Sequence, residues 1–273
     1  MIRSLPHFKG KFRLVRLFYN KRINSLKNVI VKGKYNLQYR LPNIKESIGF
    51  QIFTDGIYEP ETCSLICSRI KPGDTIIDIG ANIGSIVMPV CRQIANIKAI
   101  CIEASPQVFS YLQENIQVNR IENCLLINKA ATDTDDKAYD FFSPEEMYGK
   151  GTVAAKAGKN TVKVQSVKID TLLKECKIEK VALIKIDIEG YEYFAFKGAE
   201  QILKRDDAPD IVFEFLDIAE ANVNSIKAGD AQRFLLSVGY TIYKTNNKGK
   251  LQALTAPLQS GESMLLATKR FNA

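Results

Sequence analysis

Thr75-Ile-Ile-Asp-Ile-Gly-Ala-Asn-Ile-Gly84 is the stretch of this 273-residue chain that decides its fold. Its first five residues have the length and apolar content of a buried strand. Glycines at positions 80 and 84 follow at once, and a helical pattern begins at Ser85. A glycine turn between a strand and a helix lets a ligand approach the backbone closely. The stretch therefore predicts a ligand-binding turn at the end of a buried strand.

Strands and helices alternate after this turn, which predicts an α/β fold with a doubly wound, mostly parallel sheet. Ser105 and Pro106 have the residue types of an N-cap and a first helical residue. Two late strands, with a turn at residues 246–249 between them, predict a C-terminal antiparallel hairpin. The predicted strands span residues 75–79, 99–102, 124–127, 181–186, 211–215, 240–243 and 264–268, and the predicted helices span residues 85–94, 106–116, 193–204 and 231–238.

The segment before the predicted sheet has a different character. Short strands are expected at residues 35–40 and 49–53, with a turn at residues 55–56. A helix is expected at residues 61–70, ended by Pro72-Gly73. We therefore divide the chain into residues 1–60, a basic N-terminal arm with a small strand-rich extension, and residues 61–273, the main domain.

The positive charge of the chain belongs to this arm. The formal net charge is +8, yet residues 1–45 hold 12 of the 38 lysines and arginines and no aspartate or glutamate. Phe8, Phe12, Val15 and Tyr19 recur at helical spacing among these basic residues. Such a segment can lie on an anionic membrane, hold a polyanionic substrate such as RNA, pack as a solvated helix on the domain, or act as a targeting peptide.

The remaining composition suggests an intracellular globular protein. The six cysteines form no C-x-x-C pair and the only histidine is His7, so we expect free thiols and no metal site. The sequence shows neither a secretory signal nor an apolar run of about 20 residues that could span a membrane. We expect a cytoplasmic protein with at most peripheral contact at the inner membrane surface.

The residues around the glycine turn indicate a nucleoside site. Glu103 ends the second strand about twenty residues after the turn, where an acid can accept the ribose hydroxyls of an adenosine cofactor. The turn reads G-x-x-x-G rather than G-x-G-x-x-G, and Asp78 would repel a pyrophosphate but suits a sulfonium or ammonium cation. S-adenosylmethionine is therefore favoured over a nicotinamide dinucleotide.

A second signal lies in the predicted strand that ends near residue 186. Lys185, Asp187 and Glu189 alternate, so they share one side of the strand at its carboxyl end, where ligands of open α/β sheets bind. A salt-bridged strand end that only tunes stability is the other interpretation. Motifs for methylation of nucleobases are absent, which favours a hydroxyl acceptor.

At these residues the chain resembles the FkbM family of methyltransferases, S-adenosylmethionine-dependent enzymes that usually act on hydroxyl groups, often of sugars or natural products. The resemblance covers roughly residues 50–215 and implies a class I, Rossmann-like methyltransferase fold. The motifs that carry it are Asp55-Gly-Ile-Tyr-Glu-Pro60, residues 71–84, Leu112-x-x-Asn115 with Asn119, Ile184-Lys-Ile-Asp-Ile-Glu-Gly190 with Glu192, and Lys197-Gly198.

The resemblance also implies roles for individual positions. Glu103 would bind the cofactor ribose, and Ala104 stands beside it where the family commonly has proline. Tyr58 and Glu59 would cover the substrate side of the pocket. The residues implied around the methionine end of the cofactor are Asp78, Gly80, Ala81, Asn82 and Gly84.

Methyl transfer to an alcohol needs a base, and with His7 far from every motif we expect a carboxylate. Asp187, Glu189 and Glu214 are the candidates, and Lys185 could keep one of them ionised. The expected acceptor is the hydroxyl of a sugar, glycan or glycolipid. The alternatives are an acceptor activated by a carboxylate-bound metal, an RNA methyltransferase that uses the basic arm, and a non-catalytic binding module on the same fold.

Overall fold

The computed structural model describes residues 11–144, 146–153, 161–245 and 250–270. His7, Phe8 and the predicted turn at residues 246–249 lie outside these ranges. The strands are β1 (Lys27–Lys32), β2 (Gln38–Asn43), β3 (Thr75–Ile79), β4 (Lys98–Ile102), β5 (Cys124–Ile127), β6 (Ala130–Ala131), β7 (Ala138–Phe142), β8 (Thr161–Val167), β9 (Leu183–Ile186), β10 (Asp210–Leu216), β11 (Thr241–Thr245), β12 (Leu251–Ala253) and β13 (Glu262–Thr268). The helices are α1 (Lys11–Ser25), α2 (Ser47–Asp55), α3 (Pro60–Arg69), α4 (Val87–Gln93), α5 (Pro106–Val118), α6 (Ile169–Glu175), α7 (Glu192–Gly198), α8 (Glu200–Lys204), α9 (Asp217–Ala221) and α10 (Asp230–Ser237).

An eight-stranded sheet in the order β12-β11-β13-β10-β9-β3-β4-β5 organises the molecule. The pairs from β10 to β5 are parallel, and β13 enters antiparallel between β10 and β11. The predicted doubly wound α/β fold is confirmed. The C-terminal hairpin is confirmed in kind, although β12 adds a third antiparallel strand that the sequence pattern had not indicated.

Helices cover both faces of this sheet and bury two apolar layers. Side chains alternate along each strand, so Ile76 lies in one layer and Ile77 in the other. The first layer contains residues of α3, α4 and α5, and the second contains residues of α6, α7, α8 and α10. The crossing of the chain from one face to the other between β5 and β9 leaves a crevice at the carboxyl ends of the central strands.

The N-terminal region differs from the prediction in three elements. Strand β1 was not predicted, and β2 begins at Gln38, three residues after the start of the strand expected at residues 35–40. Residues 49–53 were expected to form a strand, but they lie in α2. Glu46 caps this helix by accepting from the amide of Ile48, and Gly56 ends it in the left-handed conformation with a φ of 78°. The apolar residues at positions 48, 50 and 52 fit either pattern, and packing of Ile48 and Ile52 one turn apart on the core favoured the helix.

Two buried asparagines attach the β1–β2 hairpin to α5. The Asn115 side chain accepts from the amide of Arg40 and donates to the carbonyl groups of Arg40 and Ile83. Asn119 makes the same paired contact with the backbone of Gln38. These side-chain amides satisfy the edge of β2 as a neighbouring strand would. The hairpin therefore shares one core with the main domain, and the proposed boundary at residue 60 stays a prediction.

Further differences from the prediction lie within residues 130–204. A small sheet in the order β6-β8-β7 stands beside the main one and was not predicted. The predicted helix at residues 193–204 is two helices, α7 and α8, which meet at Ala199. A Cβ at Gly198 would lie 2.0 Å from the carbonyl oxygen of Thr132, so glycine lets this junction pack against the backbone at Thr132.

The described cysteines are all free thiols, with Cys63 and Cys101 buried and the other four half-buried. Among the described residues, no helix is both long and apolar enough to cross a membrane.

Candidate functional site

A deep pocket opens at the carboxyl ends of β3, β4, β9 and β10. Its empty volume, including the open mouth, is about 940 Å³. Of the residues predicted from the sequence, those that line it are Gly80, Asn82, Glu103, Ala104, Tyr58, Lys185, Asp187, Glu189 and Glu214. Asp78, Ala81 and Gly84 lie in the buried shell around the lining.

The turn after β3 approaches the end of β9 as closely as backbone permits. Gly80 has a φ of 75°, and a Cβ there would lie 2.0 Å from the carbonyl oxygen of Asp187. Any other residue would separate these two loops, which together form the pocket floor. The glycine that marked this turn in the sequence is therefore required by the contact with residue 187.

Glu103 closes the pocket on the side of β4. Its side chain is buried, and its two carboxylate oxygens accept from the amides of Asn82 and Ser105 at 2.9 Å and 2.8 Å. Burial raises the pKa of Glu103 to about 7, although the two amide hydrogen bonds oppose that shift. Each oxygen keeps a second acceptor position that a hydroxyl in the pocket can use.

A buried ion-pair triad lies under the floor. The Lys185 ammonium is 3.4 Å from Oδ1 of Asp78 and 3.6 Å from Oδ2 of Asp187. Burial alone would lower the pKa of Lys185, but the carboxylates of Asp78 and Asp187 outweigh it and raise the pKa above its usual value. Lys185 is therefore a permanent cation between two acids, one below the floor and one in the pocket.

Three carboxylates converge above this triad. Oxygens of Asp187, Glu189 and Glu214 all lie within 4.8 Å of one another. Burial, followed by the charges of Asp187 and Glu189, raises the pKa of Glu214 to about 9. Glu189 pairs with the Lys150 ammonium at 2.8 Å, yet burial still raises its pKa. Glu214 therefore holds a proton that an isolated carboxylate would release at neutral pH.

The loop after β9, which carries Asp187 and Glu189, is held by its neighbours. Glu192 is buried and accepts from the amide of Ile188 at 2.9 Å. A Cβ at Gly190 would lie 2.4 Å from backbone atoms of Ala219, so glycine allows α9 to press against the loop. These contacts explain why the motif continues to Gly190 and Glu192 after its two acids.

Three non-glycine residues at the site have the left-handed backbone conformation. Glu59, Asn82 and Glu189 have φ values of 40°, 51° and 54°. Each such residue costs of order 1–3 kcal/mol in conformational free energy, and persists only where its surroundings impose it. Glu59 follows Tyr58, and burial and then the charge of Asp187 raise the pKa of Glu59.

The wall opposite the triad was not predicted. It is formed by residues 146–153, which the sequence presented only as a loop. The side chain of Asn82 donates to the carbonyl of Tyr148, and the hydroxyl of Thr152 donates to the carbonyl of Glu189. Lys150, which pairs with Glu189, lines the pocket and was not predicted from the sequence. A lone lysine between two glycines carries little signal, because its partner lies 39 residues away.

The same three carboxylates offer a set of oxygen ligands that would suit a hard divalent cation. Acidic clusters also occur without an ion, and here a lysine occupies one side of the cluster. The metal alternative thus has a defined position in the fold but no further support.

Comparison with known protein families identifies one family. The model of the methyltransferase FkbM domain matches residues 78–242. The hexuronic acid methyltransferase AglP of Haloferax volcanii is 23% identical over 146 residues, which are 54% of this chain and 58% of that protein. The chain thus spans under two thirds of the length of this curated relative.

Solved structures also show likeness at low identity. A precorrin-6y C5,15-methyltransferase of Geobacter metallireducens GS-15 is 13% identical with a TM-score of 0.47, covering 80% of this chain and 91% of that one. An S-adenosylmethionine-dependent O-methyltransferase of Thermotoga maritima is 13% identical with a TM-score of 0.41, covering 93% and 82%.

Proposed function

Because the chain belongs to the FkbM family of S-adenosylmethionine-dependent methyltransferases, we propose that it methylates a hydroxyl group of a sugar, glycan or glycolipid. The observation that carries this proposal is the convergence of Asp187, Glu189 and Glu214 in the pocket that Gly80 and Glu103 border. A carboxylate cluster beside a nucleoside site suits an acceptor that must lose a proton as it is methylated.

The residues of the pocket fit the cofactor. Both carboxylate oxygens of Asp78 are buried, and no described residue donates a hydrogen bond to them. Lys185 is the neighbouring cation beneath the glycine turn, 3.4 Å from Oδ1 of Asp78. A carboxylate at this position favours the sulfonium and ammonium cations of S-adenosylmethionine. Glu103 offers its free acceptor positions to the ribose hydroxyls. When bound, the cofactor supplies an electrophilic methyl group for in-line displacement at carbon.

We assign the role of base to Asp187. Glu214 holds its own proton at neutral pH because its pKa is about 9, and Glu189 is occupied by Lys150. Asp187 is 24% exposed into the pocket, and its Oδ2 lies 3.6 Å from the Lys185 ammonium. Asp187 would accept the proton that the acceptor hydroxyl must lose as it is methylated. Glu214, as a protonated acid, can donate a hydrogen bond to a neighbouring acceptor oxygen.

The sugar acceptor is supported by the curated relative, which by its name methylates hexuronic acid. A hydroxyl group brings no charge into the acidic cluster, which favours it over an anionic reacting group. Lys150 is 46% exposed at the rim, where it could leave Glu189 for an acidic group elsewhere on the acceptor. These points favour a neutral reacting group on a polar acceptor.

The test measures transfer of labelled methyl from S-adenosylmethionine to a panel of neutral and uronic acid glycosides. Asp187→Asn should lower turnover by about 10²- to 10⁴-fold while cofactor affinity, measured by calorimetry, changes little. Asp207→Asn removes a surface carboxylate of a salt bridge with Arg205 and serves as the matched control. Full turnover in Asp187→Asn, or activity that disappears with a chelator, would refute the assignment of Asp187 as base.

A further inference from the structure

The first helix presents a row of large apolar side chains to solvent. Leu17 is 77% exposed, Phe18 is 72% exposed and Leu14 is 43% exposed. Single exposed apolar residues are common on protein surfaces, but these three follow the i, i+3, i+4 spacing of one helix stripe. We call Leu14, Leu17 and Phe18 the outer stripe of α1.

Packing on the domain does not account for the outer stripe, because the other side of α1 makes those contacts. Val15 is buried, and the Phe12 ring packs edge-on against Phe50 with centroids 5.6 Å apart. The Lys11 ammonium forms an ion pair with Asp55 at 2.8 Å, with both side chains largely buried. These contacts fix the rotation of α1 on the domain and hold the outer stripe outward.

Basic residues flank the outer stripe. Arg13 and Arg16 are exposed, and the Arg16 guanidinium lies 4.8 Å from the centroid of the Phe50 ring. The sequence of α1 contains five lysines and arginines and no aspartate or glutamate. The helix thus combines an exposed apolar stripe with a surface of one charge sign.

We propose that α1 is an interfacial helix that docks this protein on an anionic lipid membrane. Leu14, Leu17 and Phe18 would enter the boundary between headgroups and acyl chains, and the flanking arginines would contact lipid phosphates. An RNA partner would use the charges but leave the apolar side chains exposed. Three side chains are also far smaller than the roughly 800 Å² per partner that a stable protein interface buries, so a second copy fits less well.

The test is cosedimentation of the full chain with two kinds of vesicle, phosphatidylcholine alone and phosphatidylcholine mixed with phosphatidylglycerol. We expect binding to the mixed vesicles that is weakened by salt. Binding to the neutral vesicles should be weaker by about tenfold or more. The double variant Leu17→Ser with Phe18→Ser removes the apolar side chains without adding charge, and should lose about tenfold or more of the affinity for mixed vesicles. Ile218→Ser is the matched control, because Ile218 is 69% exposed on α9, and it should bind as the wild type does.

Two results of the vesicle assay would overturn the proposal. One is no binding to the mixed vesicles. The other is binding that the double variant retains, since a purely electrostatic attraction to polyanions such as RNA would survive loss of the apolar stripe. A change of molar mass in light scattering between wild type and double variant would assign the stripe to self-association instead. Vesicle binding needs neither cofactor nor acceptor, so its failure would leave the proposed methyl transfer unaffected.

Discussion

Replacement of Lys185 by methionine tests the buried triad that supports the pocket floor. Lys185 is 4% exposed and lies between Asp78 and Asp187 at 3.4 Å and 3.6 Å. Methionine keeps an unbranched chain of similar length but removes the charge. Asp78 is then left as an uncompensated buried carboxylate, because its oxygens accept no hydrogen bond from the described residues.

The expected loss in the free energy of unfolding is about 3–5 kcal/mol, the usual cost of removing one partner of a buried ion pair. At about 2–4 °C per kcal/mol for a domain somewhat smaller than this chain, the unfolding midpoint should fall by roughly 6–20 °C. The loss should shrink as the pH is lowered, because burial already raises the pKa of Asp78 and protonation removes the uncompensated charge.

Urea denaturation of Lys185→Met, Asp78→Asn and the double variant gives the assay. The double variant should recover part of the loss, with a coupling of about 1–3 kcal/mol between the two sites. Lys204→Met is the control, because Lys204 is 60% exposed in a surface pair with Glu200 and should cost less than about 1 kcal/mol. A Lys185→Met loss below about 1 kcal/mol, or effects that add within about 0.5 kcal/mol, would refute the reasoning.

Three other predictions follow from single contacts. Glu103→Gln should weaken binding of S-adenosylhomocysteine about tenfold in calorimetry, because an amide accepts at one atom where the carboxylate accepts at two, and equal affinity would contradict the ribose role. Burial raises the pKa of Glu192 from 4.5 to about 8, so its contribution to stability is present below pH 4.5 and is lost as the pH rises through 8. The free energy of unfolding should therefore fall between pH 4.5 and pH 8, and it should fall less in Glu192→Gln. Asn115→Ala should cost about 2–4 kcal/mol in urea denaturation by removing three hydrogen bonds to Arg40 and Ile83, and a loss below about 1 kcal/mol would mean that water replaces them.

The acids at the carboxyl ends of the strands show which part of the site could be predicted from the sequence. Lys185, Asp187 and Glu189 alternate along a strand whose apolar run identified it as central, so their convergence at the strand end could be predicted. Glu214 followed from the same rule applied to the next strand. What could not be predicted is how the acids differ. Glu189 forms an ion pair with Lys150, whereas burial and the charges of Asp187 and Glu189 raise the pKa of Glu214 to about 9.

The segment at residues 49–53 illustrates the opposite case. Its apolar residues at alternate positions predicted a strand, yet the capping contact of Glu46 and burial against the core made it a helix. A short apolar run fits both periods within one turn, so local pattern could not decide between them. The choice depended on which surface lay nearby, and that surface is built from residues distant in sequence.

The sequence by itself determined the alternation of strands and helices in the central sheet, the glycine turn and the acids at the strand ends, because each depends on residues within one element or one turn. Only the tertiary structure decided the pocket wall at residues 146–153, the position of Asp78 beneath the floor, and the outward face of α1. These features depend on contacts between residues far apart in the chain, such as Asn82 with Tyr148 and Lys11 with Asp55. Local periodicity carries no record of such contacts, since any surface of suitable shape and charge can satisfy the same local pattern.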